Sequence, residues 1–221
     1  VLESLYREVK LARLISHPNV ARIYDLGEWE GLEFISMEYI AGQSLAERLN
    51  TDGVLPMDFG VRVMRQLCEG LAAAHAAGVV HRDLKPANIM LQQGGRVVIL
   101  DFGIAKWASG LHQTSDKSAR PVGTPHYMAP EQFLSSTVDG RTDIYALGVV
   151  AFEMFTGSRP FKAVNPYTLA WKHAKTTPPD PLELRPDLPP RLAAVILRCL
   201  EKSPQDRFDT AQEIVSLLRF E

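Results

Sequence analysis

His81-Arg82-Asp83-Leu84-Lys85-Pro86-Ala87-Asn88 is followed by Ile89–Leu91, Gln93-Gly94-Gly95, Val97–Leu100 and then Asp101-Phe102-Gly103. Two short apolar runs around a Gly-bearing turn predict a β-hairpin. A hairpin brings its ends together, so Asp83, Asn88 and Asp101 are expected to face one small volume. Asn88 and Asp101 can supply oxygen to a hard cation such as Mg²⁺, and a carboxylate left without a metal can accept a proton. Lys85, close behind Asp83, adds positive charge beside any anion held there.

This stretch resembles the catalytic and metal-binding loops of protein kinases, H-R-D-x-K-x-x-N followed by D-F-G. The resemblance implies an α+β, protein-kinase-like fold. Residues 1–40 would be a truncated small lobe (helix C, the last two strands and the hinge), and residues 41–221 a mainly helical large lobe with an activation loop at about 101–131. It implies ATP and Mg²⁺ as cofactors, and transfer of the γ-phosphoryl group to serine or threonine hydroxyls of proteins in signal transduction. Asp83 would orient the substrate hydroxyl, Lys85 would steady the transferring group, and Asn88 and Asp101 would hold Mg²⁺. His81 and Arg82 belong to the first loop, Phe102 and Gly103 to the second. Lys85 within D-L-K-P-x-N and Thr124 within G-T-P follow the serine/threonine pattern. Tyrosine kinases carry an alanine- and arginine-bearing loop instead. Val79–Asp83 and Asp143–Gly148 resemble the bacterial branch, whose members often carry a membrane span and a sensor domain.

Composition agrees with a globular enzyme. A chain of 221 residues can bury a sizeable core. A net charge of −2, with no basic patch interleaved with aromatics, gives no support to nucleic-acid binding or to an anionic membrane surface. Cys68 and Cys199 fall on apolar helical stripes and read as core residues. No apolar run approaches the roughly twenty residues of a membrane span. A cytoplasmic placement with no membrane contact from this segment is therefore expected. The chain opens on Val1 inside a helical pattern and is expected to be a piece of a longer protein. Neither a G-x-G-x-x-G loop nor a V-A-I-K lysine is present, so this piece alone is expected to turn over weakly or not at all.

Upstream of the loop, Leu2, Leu5, Val9 and Ala12 recur at helical spacing, ended by His17-Pro18-Asn19. Strands are predicted near Ala21–Asp25 and Phe34–Tyr39, joined by a polar turn containing Gly27 and Gly31. By resemblance, Glu8 is the helix C glutamate that pairs with a strand lysine, although its residue type alone fits a surface charge. Met37 would be the gatekeeper, with the backbone of Glu38 and Ile40 meeting the adenine edge and Met90 also contacting the nucleotide. A buried edge strand would show the same residue types. Helices are predicted over Ser44–Asn50 and Asp58–Ala77. His75, on the second of these, reads as a packed or surface histidine.

Downstream, Trp107–Pro121 is small and polar and predicts a loop. Gly123–Glu131 resembles the segment that seats a peptide substrate and closes an activation loop. Ser118, then Thr114 and Ser115, are the expected sites of activating phosphorylation, because a loop phosphate could neutralise Arg82 beside the catalytic aspartate. Ile144–Phe152 is apolar nearly all round and predicts a helix buried on every side. In the kinase pattern that helix carries Asp143, which receives backbone hydrogen bonds from the catalytic loop. A Pro-rich connector is expected over Thr176–Pro190, and Thr210–Glu213 reads as a capping box. The resemblance pairs Arg207 with Glu131. Partners implied are protein substrates, with a dimer allowed for autophosphorylation. The alternative is a pseudokinase or docking module that binds a partner without turnover.

Overall fold

The computed structural model describes residues 9–102, 125–133 and 138–218. Glu8, Gly103, Thr114, Ser115, Ser118 and Thr124, to which the sequence assigned roles, lie outside the described residues. A helical turn at 9–12 buries Val9 and Ala12. The antiparallel pair β1 (Ile23–Trp29) and β2 (Leu32–Met37) follows.

Both strands lie closer to the turn than their apolar runs suggested, β1 beginning and ending later and β2 beginning and ending earlier, because Gly27 is a strand residue and not part of the turn. It faces Phe34 across the pair, and a Cβ on Gly27 would sit 2.5 Å from that ring. The reversal is made by Glu30 and Gly31, both with positive φ (51° and 77°), as a two-residue hairpin loop requires.

The predicted hairpin is present as β4 (Ile89–Leu91) against β5 (Val97–Ile99), with Ile89 opposite Ile99. A third strand that the sequence did not announce, β3 (Gln43–Ser44), pairs with β4. Ser44 also caps α1 (Leu45–Asp52) in a reciprocal capping box with Glu47. Helix α2 (Met57–Ala76) follows, then the short α3 (Pro130–Phe133).

Helix α4 (Gly140–Thr156) is the centre of the large helical layer. Every residue from Ile144 to Phe152 is buried, as the absence of a polar face required. Completely burying side chains such as Phe152 and Leu147 contributes about 1.5–3 kcal/mol each. Around α4 pack α2 and α7 (Pro190–Cys199), and α2 in turn meets β5 and α8 (Ala211–Leu217). Gly148 lets α7 come close: a Cβ there would lie 2.7 Å from Cys199 Cβ. Between α4 and α7 run α5 (Pro166–Lys175) and the expected Pro-rich connector, which contains one helical turn, α6 (Pro181–Leu184). Among the described residues, no helix is long and apolar enough to cross a membrane.

Candidate active site

The hairpin does what its sequence predicted: it closes the chain on itself at its polar end. Leu100 N–H donates to Asn88 C=O at 2.8 Å, so Asp101 emerges beside Asn88. On the other side, Asn88 Nδ2 donates to the backbone carbonyl of Asp83 at 3.0 Å. With its amide nitrogen committed there, Asn88 presents its side-chain oxygen as the end available to a cation. Lys85 Nζ lies 2.8 Å from Asp83 Oδ2, and both side chains retain contact with solvent.

The backbone around Asp83 is strained. Arg82 has φ +64° and Asp101 φ +48°, left-handed values that cost residues with a Cβ on the order of 1–2 kcal/mol. At Arg82 the helix buried beneath the loop stabilises this conformation. Asp143, itself 0 % exposed, accepts from His81 N–H through Oδ2 and from Arg82 N–H through Oδ1, both at 2.8 Å. Its third partner is His75, whose Nε2 lies 2.7 Å from Oδ2. A carboxylate only accepts, so His75 carries the proton on that nitrogen. The sequence reading gave His75 no task; its partner lies 68 residues away.

His81 is enclosed. Its Nδ1 accepts from Asp83 N–H at 3.2 Å and its Nε2 donates to Leu100 C=O at 2.7 Å, which fixes one neutral tautomer. Burial lowers its pKa despite the nearby Asp143 charge, in keeping with a neutral ring. Phe102 is buried against that ring, with centroids 4.8 Å apart. The two loops are thus joined by one bond and one ring contact at residue 81.

At the opposite edge, Ile40 and Met90 share a small apolar cluster with Ala21, Val98 and Leu100. Met37, half-buried, ends β2 opposite Ile23. Glu38 N–H is committed to Arg22 C=O at 2.8 Å, and the Glu38 carboxylate pairs with Arg96 at 3.0 Å. Arg96 holds that carboxyl below its usual pKa. The sequence reading used only the backbone of Glu38 and missed this pair. It also missed Asn19, a buried amide that donates to Gln66 Oε1 and Val97 C=O and so ties the first described segment to the hairpin. A polar residue in an apolar neighbourhood was the available signal, without any indication of its partner.

Glu131 and Arg207 meet as a buried bidentate pair, 2.7 and 2.9 Å. Thr142 donates to Glu131 Oε1, and the remaining guanidinium protons reach the carbonyls of Arg141, Glu201 and Lys202. All five donors of Arg207 are therefore used.

The protein kinase domain family model matches residues 2–217. Curated relatives include the serine/threonine-protein kinase PknB of Mycolicibacterium smegmatis, 37% identical over 94% of this chain and 34% of its own length. A probable serine/threonine-protein kinase of Clostridium acetobutylicum is 39% identical over 96% of this chain and 32% of its own. The chain thus spans about a third of the length of these relatives. Among solved structures, Rad53 1-466 in complex with AMP-PNP aligns with a TM-score of 0.80 at 24% identity, covering 96% of this chain and 53% of that one.

Proposed function

The chain belongs to the protein kinase domain family, and from that premise we propose that it carries the catalytic machinery for ATP-dependent phosphorylation of protein serine and threonine residues. The observation that carries the proposal is the clamped loop. Asp83, Lys85 and Asn88 are tied together by hydrogen bonds, and Asn88 is tied to the residue before Asp101. In-line phosphoryl transfer asks mainly for positioning and charge neutralisation, which rigidly held polar groups supply.

Asp83 would accept the proton of the attacking hydroxyl, and Lys85 would bridge Asp83 and the transferred group. The side-chain oxygen of Asn88 and the exposed carboxylate of Asp101 would supply hard oxygen ligands of the kind Mg²⁺ takes. Bound there, the metal would offset charge on the phosphate oxygens. The nucleotide base would lie against Ile40 and Met90. Among the described residues, Ile40 N–H has no hydrogen-bond partner, which suits it to the adenine edge. The complex of Rad53 with AMP-PNP supports ATP as the nucleotide.

Control by phosphorylation of the loop after Gly103 extends this reading and rests on the positive charge of Arg82 beside Asp83. A variant with Ser118, Thr114 and Ser115 all changed to alanine should then lose activation. Wild-type activity in that variant would remove this part of the proposal.

The direct assay offers radiolabelled ATP and Mg²⁺ to the full-length protein that carries this chain. A generic basic protein, sugars and aminoglycosides are supplied as acceptors in parallel. Label on serine or threonine of the protein acceptor is the expected result. Label on the small molecules, or on no acceptor, contradicts it and in the second case favours a docking module.

A further inference from the structure

Arg82 is held on both sides of its strained peptide. Asp143 takes its N–H, and its carbonyl accepts from Gln132 Nε2 at 2.9 Å. The other end of the same amide, Gln132 Oε1, accepts from Ala129 N–H at 2.9 Å. The Gln132 backbone N–H returns to Ala129 C=O at 3.0 Å. Gln132 therefore closes the first turn of α3 in the manner of the third residue of a capping box and donates from its amide nitrogen to the catalytic loop.

From this geometry we infer that Gln132 is a positioning residue for phosphoryl transfer, fixing the left-handed Arg82 peptide that aims Asp83 and coupling it to the segment that precedes α3. The inference rests on the proposed kinase activity for its kinetic consequence, but not for its structural one. The physical requirement is specific. One head group must donate to Arg82 C=O and accept from Ala129 N–H, which a side-chain amide does and a carboxylate does not. Asp143 holds only the peptide before the Arg82 Cα, so without Gln132 the peptide after it loses this hold, can turn about ψ, and lets Arg82 leave its left-handed conformation (φ +64°).

The test compares Gln132→Glu and Gln132→Leu with wild type in the full-length protein. Losing one positioning hydrogen bond should lower kcat roughly tenfold in Gln132→Leu at every pH, with the KM for ATP unchanged. Gln132→Glu should be as slow as Gln132→Leu at about pH 7–8, because a carboxyl ionised there accepts from Ala129 N–H but cannot donate to Arg82 C=O.

Wild-type kcat in Gln132→Leu, or in Gln132→Glu at about pH 7–8, overturns the inference. So does a loss of activity matched by a collapse in melting temperature. Should wild type itself transfer no phosphate, the kinase reading fails. The clasp is then read by amide hydrogen exchange at fixed pH. Peptides covering residues 81–84 should exchange faster in Gln132→Leu while those of α2 do not change, and unchanged exchange at 81–84 overturns the clasp.

Discussion

Asp83→Asn is expected to slow phosphoryl transfer by roughly a thousandfold while nucleotide affinity stays near the wild-type value. The asparagine keeps the shape of the side chain and removes its ability to take up a proton. The metal side should survive the change, because Asn88 is tied to the backbone carbonyl of Asp83 and not to its carboxylate. Lys85 loses its ionic partner at 2.8 Å, but its side chain is 38% exposed and can be solvated. Steady-state kinetics alongside nucleotide titration separate the two quantities. Equal losses in turnover and in nucleotide affinity would mean that Asp83 holds the site together and does no proton chemistry.

The second large effect is on stability. Arg207→Ala should destabilise the fold by about 3–5 kcal/mol, because it strands the buried Glu131 carboxylate. Arg207→Lys should recover only part of this, since an ammonium has three donors where the guanidinium uses five. Joint replacement of Arg207 and Glu131 by apolar residues should cost less than Arg207→Ala, because no charge is then left buried. Denaturant unfolding of the three variants orders them.

The same pair gives an acid limb. Burial raises the Glu131 pKa, but Arg207 and Thr142 together outweigh it and hold the carboxyl below its ordinary value. Because the folded state holds this proton less tightly than the unfolded chain does, the stabilisation is complete above the ordinary carboxylate range. It is lost as pH falls through the folded value.

What could be read from the sequence was whatever has a local signature. The hairpin Ile89–Ile99 declared itself through two apolar runs and a Gly-Gly turn, and the all-round apolarity of Ile144–Phe152 required burial. Both have the predicted form. Arg207 with Glu131 was reached through resemblance, because 76 residues separate them and no spacing rule connects positions that distant. Strand limits in the first sheet slipped because Gly27 has the composition of a turn. Its actual role, leaving room for the Phe34 ring, is set by a residue on the facing strand. His75, Gln132, Asn19 and Arg96 were opaque for a shared reason. A polar side chain announces that it needs a partner, while the identity of that partner is a property of the folded chain. Gln132, Asn19 and Arg96 tie the loop, the hairpin or the hinge to another element, and His75 ties α2 to the Asp143 that holds the loop.

The central claim is that Asp83, Asn88 and Asp101 converge on one metal–nucleotide complex above the buried helix. Anomalous diffraction from the full-length protein crystallised with Mn²⁺ and a non-hydrolysable ATP analogue tests it most directly. The account predicts one manganese at about 2.1 Å from both the Asn88 side-chain oxygen and the Asp101 carboxylate, with the Asp83 carboxylate facing the terminal phosphate from the side away from the metal. Manganese bound with neither residue among its ligands, or a nucleotide seated away from Ile40 and Met90, would contradict it.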